Sequence, residues 1–202
     1  MNSIFINEYI NNFERILSAA YKYHYSLDTV ERQISYSLYF QKIEKDGEDF
    51  SPLITSNLLL ETIFSEIDIE LEDLPVYNQC LWAAEVYLKI QGITNLTFEA
   101  IFIVLPIKKM YEYFDLYHEM DFSQIIDVFL DRYKKESILS RLIKEYGYSL
   151  KYISEETGIS YDGICSLKSR RRDIKKLNVE KAVKLAYVFR IRVETIAEIT
   201  ME

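Results

Sequence analysis

Twenty residues near the end of the chain, Ser149–Lys168 (SLKYISEETGISYDGICSLK), leave little freedom in how they fold. Ser149 carries the hydroxyl of a helix N-cap, and Glu155 and Glu156 lie within the helix it would open. Gly158 falls where the backbone must turn left-handed to stop that helix. Ser160 can then cap a second one. Leu150, Ile153, Ile159, Ile164 and Leu167 are the apolar positions, and small Ser154 stands where two helices must approach. Ile164 and Leu167 are three apart and share a face. Tyr161, Asp162, Cys165, Ser166 and Lys168 fall on other faces, free to touch something else. Two short helices joined by a tight turn form a helix-turn-helix.

The flanks continue the same grammar. Ser137 can cap a helix over Ile138–Tyr146, which Gly147 closes. After the second helix of the motif, Lys168, Arg170, Arg171, Arg172, Lys175 and Lys176 place six cations in nine positions. The stretch NVEKAVKLAYVFRIRVETIAEI then reads as a further helix and a short terminal one. With 5 Gly and 3 Pro in 202 residues, helices are favoured over turn-rich β architecture throughout.

This pattern resembles the Cro/phage-repressor, or xenobiotic-response-element, class of helix-turn-helix domains. Ser149, Ile153, Ser154, Gly158, Ile159, Ser160, Ile164 and Leu167 carry the resemblance, which covers roughly the last third of the chain. It implies a five-helix domain over 137–202 that grips double-stranded DNA, with Ser160–Leu167 as the recognition helix. Two positions depart from the family pattern. Leu150 stands where the family often has a Gln that braces the DNA backbone. Gly163 lies inside the recognition helix, where Gly costs about 1 kcal/mol relative to Ala.

On this reading Ser160, Tyr161, Asp162, Cys165, Ser166 and Lys168 meet base edges or phosphates. Lys168 suits guanine acceptors or a phosphate; Asp162 suits a cytosine amino group or simply the helix dipole. Arg170, Arg171, Arg172, Lys175 and Lys176, on the loop that would run along the backbone, neutralise phosphates. Lys151, with Arg141 and Lys144 on the preceding helix, adds backbone contacts.

Charge divides the chain. Ser137–Glu202 holds 13 Lys+Arg and 9 Asp+Glu, a balance of +4, and Met1–Glu136 holds 11 and 23, a balance of −12. An anionic polymer is drawn to the last third and repelled by the rest. The charged stretch Arg132–Ser137 is the expected domain boundary, with an acidic helical domain over 1–136.

Within that domain, Ser3–Ala20 is an amphipathic helix through Phe5, Tyr9, Phe13, Ile16, Leu17 and Ala20. Asp28 is the N-cap expected for the next element. Thr29–Ile43 alternates like a strand at Ile34, Tyr36, Leu38 and Phe40 and also fits a helix at Val30, Ile34 and Leu38; the helical context favours helix. Glu44–Pro52 reads as a loop, Ser56 as the cap of a helix over Asn57–Ser65, and Ile67–Pro75 as a solvated acidic loop. Tyr77–Gln91 is a helix ended by Gly92, Thr97 caps Phe98–Leu105, Pro106 permits a fresh start at Ile107, and Asp121–Tyr133 is a further helix.

Other chemistry is poorly supported. Asp115, His118, Glu119 and Asp121 form one local cluster, for which a structural or surface role outweighs a metal or acid–base role. No HExxH, P-loop, nucleophile elbow or dinucleotide-binding glycine run occurs, so no catalytic residue, metal or cofactor is expected. Cys80 and Cys165 read as free thiols. The apolar run Phe98–Ile107 is too short to span a bilayer, and a cytoplasmic protein is expected. The leading expectation is a bacterial or phage transcriptional regulator that binds DNA as a homodimer, its N-terminal part supplying dimerisation, sensing of a protein or small-molecule effector, or partner contact. The alternative is an antitoxin-like or phage-related interaction module that inhibits a partner, its acidic half mimicking nucleic acid. An enzyme centred on His118 ranks third.

Overall fold

The computed structural model describes residues 3–46, 59 and 77–198. These residues form α-helices, one short 3-10 turn and no strand, so the fold is mainly α. The helices are α1 (Ser3–Lys22), α2 (Leu27–Tyr36), α3 (Leu38–Asp46), α4 (Tyr77–Thr94), α5 (Phe98–Val104), α6 (Ile107–Tyr117), α7 (Phe122–Lys135), α8 (Ile138–Tyr146), α9 (Leu150–Thr157), α10 (Tyr161–Lys168), α11 (Val179–Phe189) and α12 (Val193–Ala197). The chain divides into two compact units, Met1–Asp127 and Val128–Glu202, and the division falls inside α7. No helix among the described residues is long and apolar enough to cross a membrane.

The first unit is built on aromatic packing. α1 lies along α4, and Phe13 of α1 is fully buried. Its ring centroid is 5.1 Å from Phe40, 5.7 Å from Phe98, 5.8 Å from Tyr87 and 6.5 Å from Phe102. Most of these pairs meet edge to face, the arrangement the ring quadrupoles favour. The buried hydroxyls are satisfied: Tyr87 donates to the Leu105 carbonyl at 2.9 Å, and the Asn12 amide donates to the Tyr39 hydroxyl at 2.7 Å.

Part of the acidic excess serves as helix caps. Pro106 offers α6 no side-chain cap, and Glu31 of α2 supplies one, accepting the Ile107 N–H at 2.6 Å. Glu44 of α3 likewise accepts the Phe98 N–H at 2.7 Å, beside the local cap from Thr97 to Ala100. A carboxylate at a helix N-terminus satisfies an orphan donor and the positive end of the dipole together.

Several boundaries differ from the sequence reading. Ser26, not Asp28, caps α2: its Oγ accepts the Thr29 N–H at 3.2 Å, and Asp28 sits in the first turn. Thr29–Ile43 is two helices, because Ser37 is extended (φ −65°, ψ 127°) and breaks the run. The apparent alternation is a product of that break: Ile34 and Phe40 are buried, whereas Tyr36 and Leu38 on either side of it are exposed. Gly92 does not end α4. The helix runs through it to Thr94, and Asn95 takes the left-handed conformation instead (φ 53°). The restart at Ile107 holds. Residues 47–52, the Ser56 cap with its helix apart from buried, helical Leu59, and the acidic run Ile67–Pro75 lie outside the described residues.

Removing the central ring should be costly. Phe13→Ala is expected to lower stability by about 3–5 kcal/mol, read as a fall in urea midpoint at unchanged slope; a loss below 1 kcal/mol would mean the cluster is not the core.

Candidate nucleic-acid interface

In the second unit the caps fall where the sequence puts them. Ser137, Ser149 and Ser160 accept the N–H groups of Ser140, Tyr152 and Gly163 at 3.1, 3.1 and 3.2 Å. Gly147 and Gly158 are left-handed at φ 66° and 67°, closing α8 and α9.

The turn between α9 and α10 is pinned by its own hydrogen bonds. Ser154 Oγ donates to the Ile159 carbonyl at 2.6 Å, and the Ile159 N–H donates to Thr157 Oγ1 at 3.2 Å. Ser154 is therefore not only small; it ties the turn shut. Ile153, Ile159, Ile164 and Leu167 are all buried. α10 has 8 residues, far too few to persist alone, so this apolar face and the Ser160 cap are what make it a helix.

That packing fixes what α10 presents. Tyr161 and Asp162 are exposed, as is the Ser160 cap, and Cys165, Ser166 and Lys168 are half-buried. Gly163 is buried, and the structure explains its presence. A Cβ there would lie 2.9 Å from Ile159 Cγ2, 3.0 Å from Ser160 Oγ and 3.5 Å from Arg172 Nη1. Any side chain there must displace the buried isoleucine of the turn.

The basic loop after α10 is ordered by backbone geometry. Arg170 N–H donates to the Leu167 carbonyl at 3.0 Å and Arg171 N–H to the Ser166 carbonyl at 2.9 Å, the paired closure of a Schellman cap. Ile174 is buried and anchors the loop, while Asp173 accepts the Lys175 N–H at 2.9 Å. Arg171, Arg172, Lys175 and Lys176 are exposed. Arg171 Nε donates to Ser169 Oγ at 2.9 Å, which holds one edge of the guanidinium. Lys151 is exposed on α9, 3.8 Å from the Glu155 carboxylate; so exposed a pair contributes little.

Arg170 departs from the expectation that it meets phosphate. It occupies the left-handed position of the cap (φ 56°), where glycine is usual. Its guanidinium turns back to α7: Nη1 donates to the Lys134 carbonyl at 3.0 Å, Nη2 donates to the Tyr133 carbonyl, and the group lies 5.0 Å from the centre of the Tyr133 ring. The physical reason is the C-terminus of α7, where unpaired carbonyls and the negative end of the dipole attract a cation. Arg141 does the same, Nη2 donating to the Arg132 carbonyl at 2.6 Å. Neither role was legible in the sequence, because caps that join residues 9, 36 or 37 apart leave no local signal.

Asp115 and His118 lie in the first unit, where they line a hollow of about 570 Å3 with Asn78, Gln79, Trp82 and Phe114. His118 stacks on Phe114 with ring centres 4.4 Å apart, and Trp82 Nε1 is buried without a partner. Among the described residues no three His, Cys, Asp or Glu side chains gather as a metal would require. Cys80 is buried and Cys165 half-buried, both as free thiols; burial pushes the Cys80 thiol up from its ordinary range.

Comparison with models of protein families, with curated proteins and with solved structures finds no significant match to this chain.

Substitutions at two positions test the local readings. Gly163→Ala should destabilise by about 1 kcal/mol, since the clash with a β-branched, buried side chain outweighs the helix-propensity gain; a stabilised variant would show the seat to be loose. Arg170→Ala should cost about 2 kcal/mol from lost charged hydrogen bonds, and Arg170→Lys should restore it only in part, because an ammonium lacks the planar fork that reaches both carbonyls while lying over the Tyr133 ring. Thermal or urea unfolding of the three variants checks both.

Proposed function

We propose that the chain is a DNA-binding transcriptional regulator that uses α9 and α10 as its helix-turn-helix. The observation that carries this reading is the pairing of an outward α10 face, with Tyr161 and Asp162 exposed, and an ordered loop that leaves Arg171, Arg172, Lys175 and Lys176 exposed beside it. A short helix for the major groove and a cationic strip for the adjoining phosphates are the two parts such recognition needs. The Arg172 guanidinium lies beside Gly163 in the first turn of α10, which brings one of the loop cations next to the helix.

An exposed apolar row on α11 supports self-association. Val179, Val183 and Tyr187 recur at four-residue steps with exposures of 76%, 45% and 84%. A second copy seated there would double the readout of one short helix. The same row favours the second reading, an antitoxin-like or phage-related module whose partner is a protein. The hollow at Trp82, with its unpaired indole N–H, supports a small-molecule effector for the first unit.

A mobility-shift titration with random duplex at two salt concentrations separates the readings. On the DNA reading, affinity rises as salt falls. Replacing Arg171, Arg172, Lys175 and Lys176 with Ala then lowers the slope of log affinity against log salt by about 0.9 for each phosphate no longer neutralised. Absence of duplex binding, or an unchanged slope, removes the proposal and leaves the protein-contact module.

A further inference from the structure

A second basic feature of the C-terminal unit lies away from the outward face of α10. The last turn of α7 and the first turns of α8 enclose a cleft of about 620 Å3, lined by Arg132, Lys135, Glu136, Ser137, Ser140, Arg141, Lys144 and Lys168. Its volume is within the roughly 300–1,000 Å3 of small-ligand sites. Five cationic side chains line it against one carboxylate.

That carboxylate is already committed. Glu136 Oε1 accepts from Lys144 Nζ at 2.5 Å and from Ser140 Oγ at 2.9 Å, and Oε2 lies 3.8 Å from Arg141 Nη1. Lys144 and its neighbours hold the carboxyl below the usual carboxylate range. Lys135 and Lys168 make no ion pair among the described residues. Arg141 is crowded: its Nε is buried without a partner, and burial, then the charge of Arg132, press its guanidinium towards losing a proton. Like charges are thus held together in a partly enclosed space, offset in part by Glu136 and by the Arg132 carbonyl at the end of α7, and the two lysines left over favour an incoming anion.

The charge imbalance says which anion. Glu136 serves Lys144 and Arg141, which leaves Lys135 and Lys168 of the cleft's cations without an ion pair among the described residues. A phosphate group brings roughly −1.5 to −2 charges and three strong acceptor oxygens, enough for several separate donors at once.

We infer that the cleft between the end of α7 and the start of α8 binds a phosphate group, supplied by a small phosphorylated molecule or by a nucleic-acid backbone, with Lys135 and Lys168 as its principal donors. The site stands whether or not α10 reads a duplex. Lys168, at the far end of α10 from Tyr161, belongs to this cleft: Ser137 Oγ donates to its backbone carbonyl at 2.6 Å, tying the end of α10 to the start of α8.

The test uses the full chain and inorganic pyrophosphate, titrated by calorimetry and by thermal shift against chloride at matched ionic strength. Saturable binding and a raised Tm are expected. Lys135→Ala with Lys168→Ala should weaken it about tenfold or more. Glu136→Gln removes the internal competitor and should tighten it, a gain that damaged folding cannot imitate. Duplex titrations of the Lys135/Lys168 variant identify the source: weaker duplex binding with a lower salt slope means backbone phosphate, and unchanged duplex binding means a small phosphorylated ligand. Saturable pyrophosphate binding by a chain that binds no duplex would end the DNA reading and leave this one standing. Pyrophosphate binding that is absent, or indifferent to the lysines, together with unchanged duplex binding by the variant, overturns the inference.

Discussion

The buried contact between α9 and α10 decides the character of the C-terminal unit. An eight-residue helix has no stability of its own. Ile153, Ile159, Ile164 and Leu167 are all buried where the two helices pack, and the Ser154–Ile159 hydrogen bond closes the turn between them. Once those four side chains are inside, the rotation of α10 is settled, and with it the identity of every residue left outside.

Charge is distributed by the same economy of partners. In the first unit Glu31 and Glu44 are turned to helix starts, where backbone N–H groups lack acceptors. In the second, Arg141 and Arg170 are turned to a helix end, where carbonyls lack donors. Net charge alone therefore overstates how much of either sign faces solvent. Of the cations after α10, Arg171, Arg172, Lys175 and Lys176 remain outward, and Lys168 lines the cleft at α8.

Much of this fold was legible from residue types at short spacing. Serine caps at 137, 149 and 160, and glycine stops at 147 and 158, act within one turn of the chain, and all five fall as read. The failures share a cause. Gly92 carries the usual stop residue, yet α4 continues through it, because helix ends are also set by packing that lies elsewhere in the chain. Asp28 lost its role to Ser26, because the helix starts two residues earlier and the Ser26 hydroxyl accepts the Thr29 N–H, which leaves Asp28 in the first turn. Arg170 looked like one more loop cation because its partners are in α7. Gly163 looked like a weakness of α10, and only the three-dimensional position of Ile159 turns it into a requirement.

That requirement limits how this surface can diversify. A helix that meets other molecules usually varies by exchanging its outward side chains while keeping its core. Here the first turn has no freedom at position 163, so new chemistry can enter only through 161 and 162 ahead of it and 165 and 166 behind. Any descendant of this sequence that acquires a different preference must write it in those four places, or abandon the isoleucine at 159 and rebuild the bend beneath.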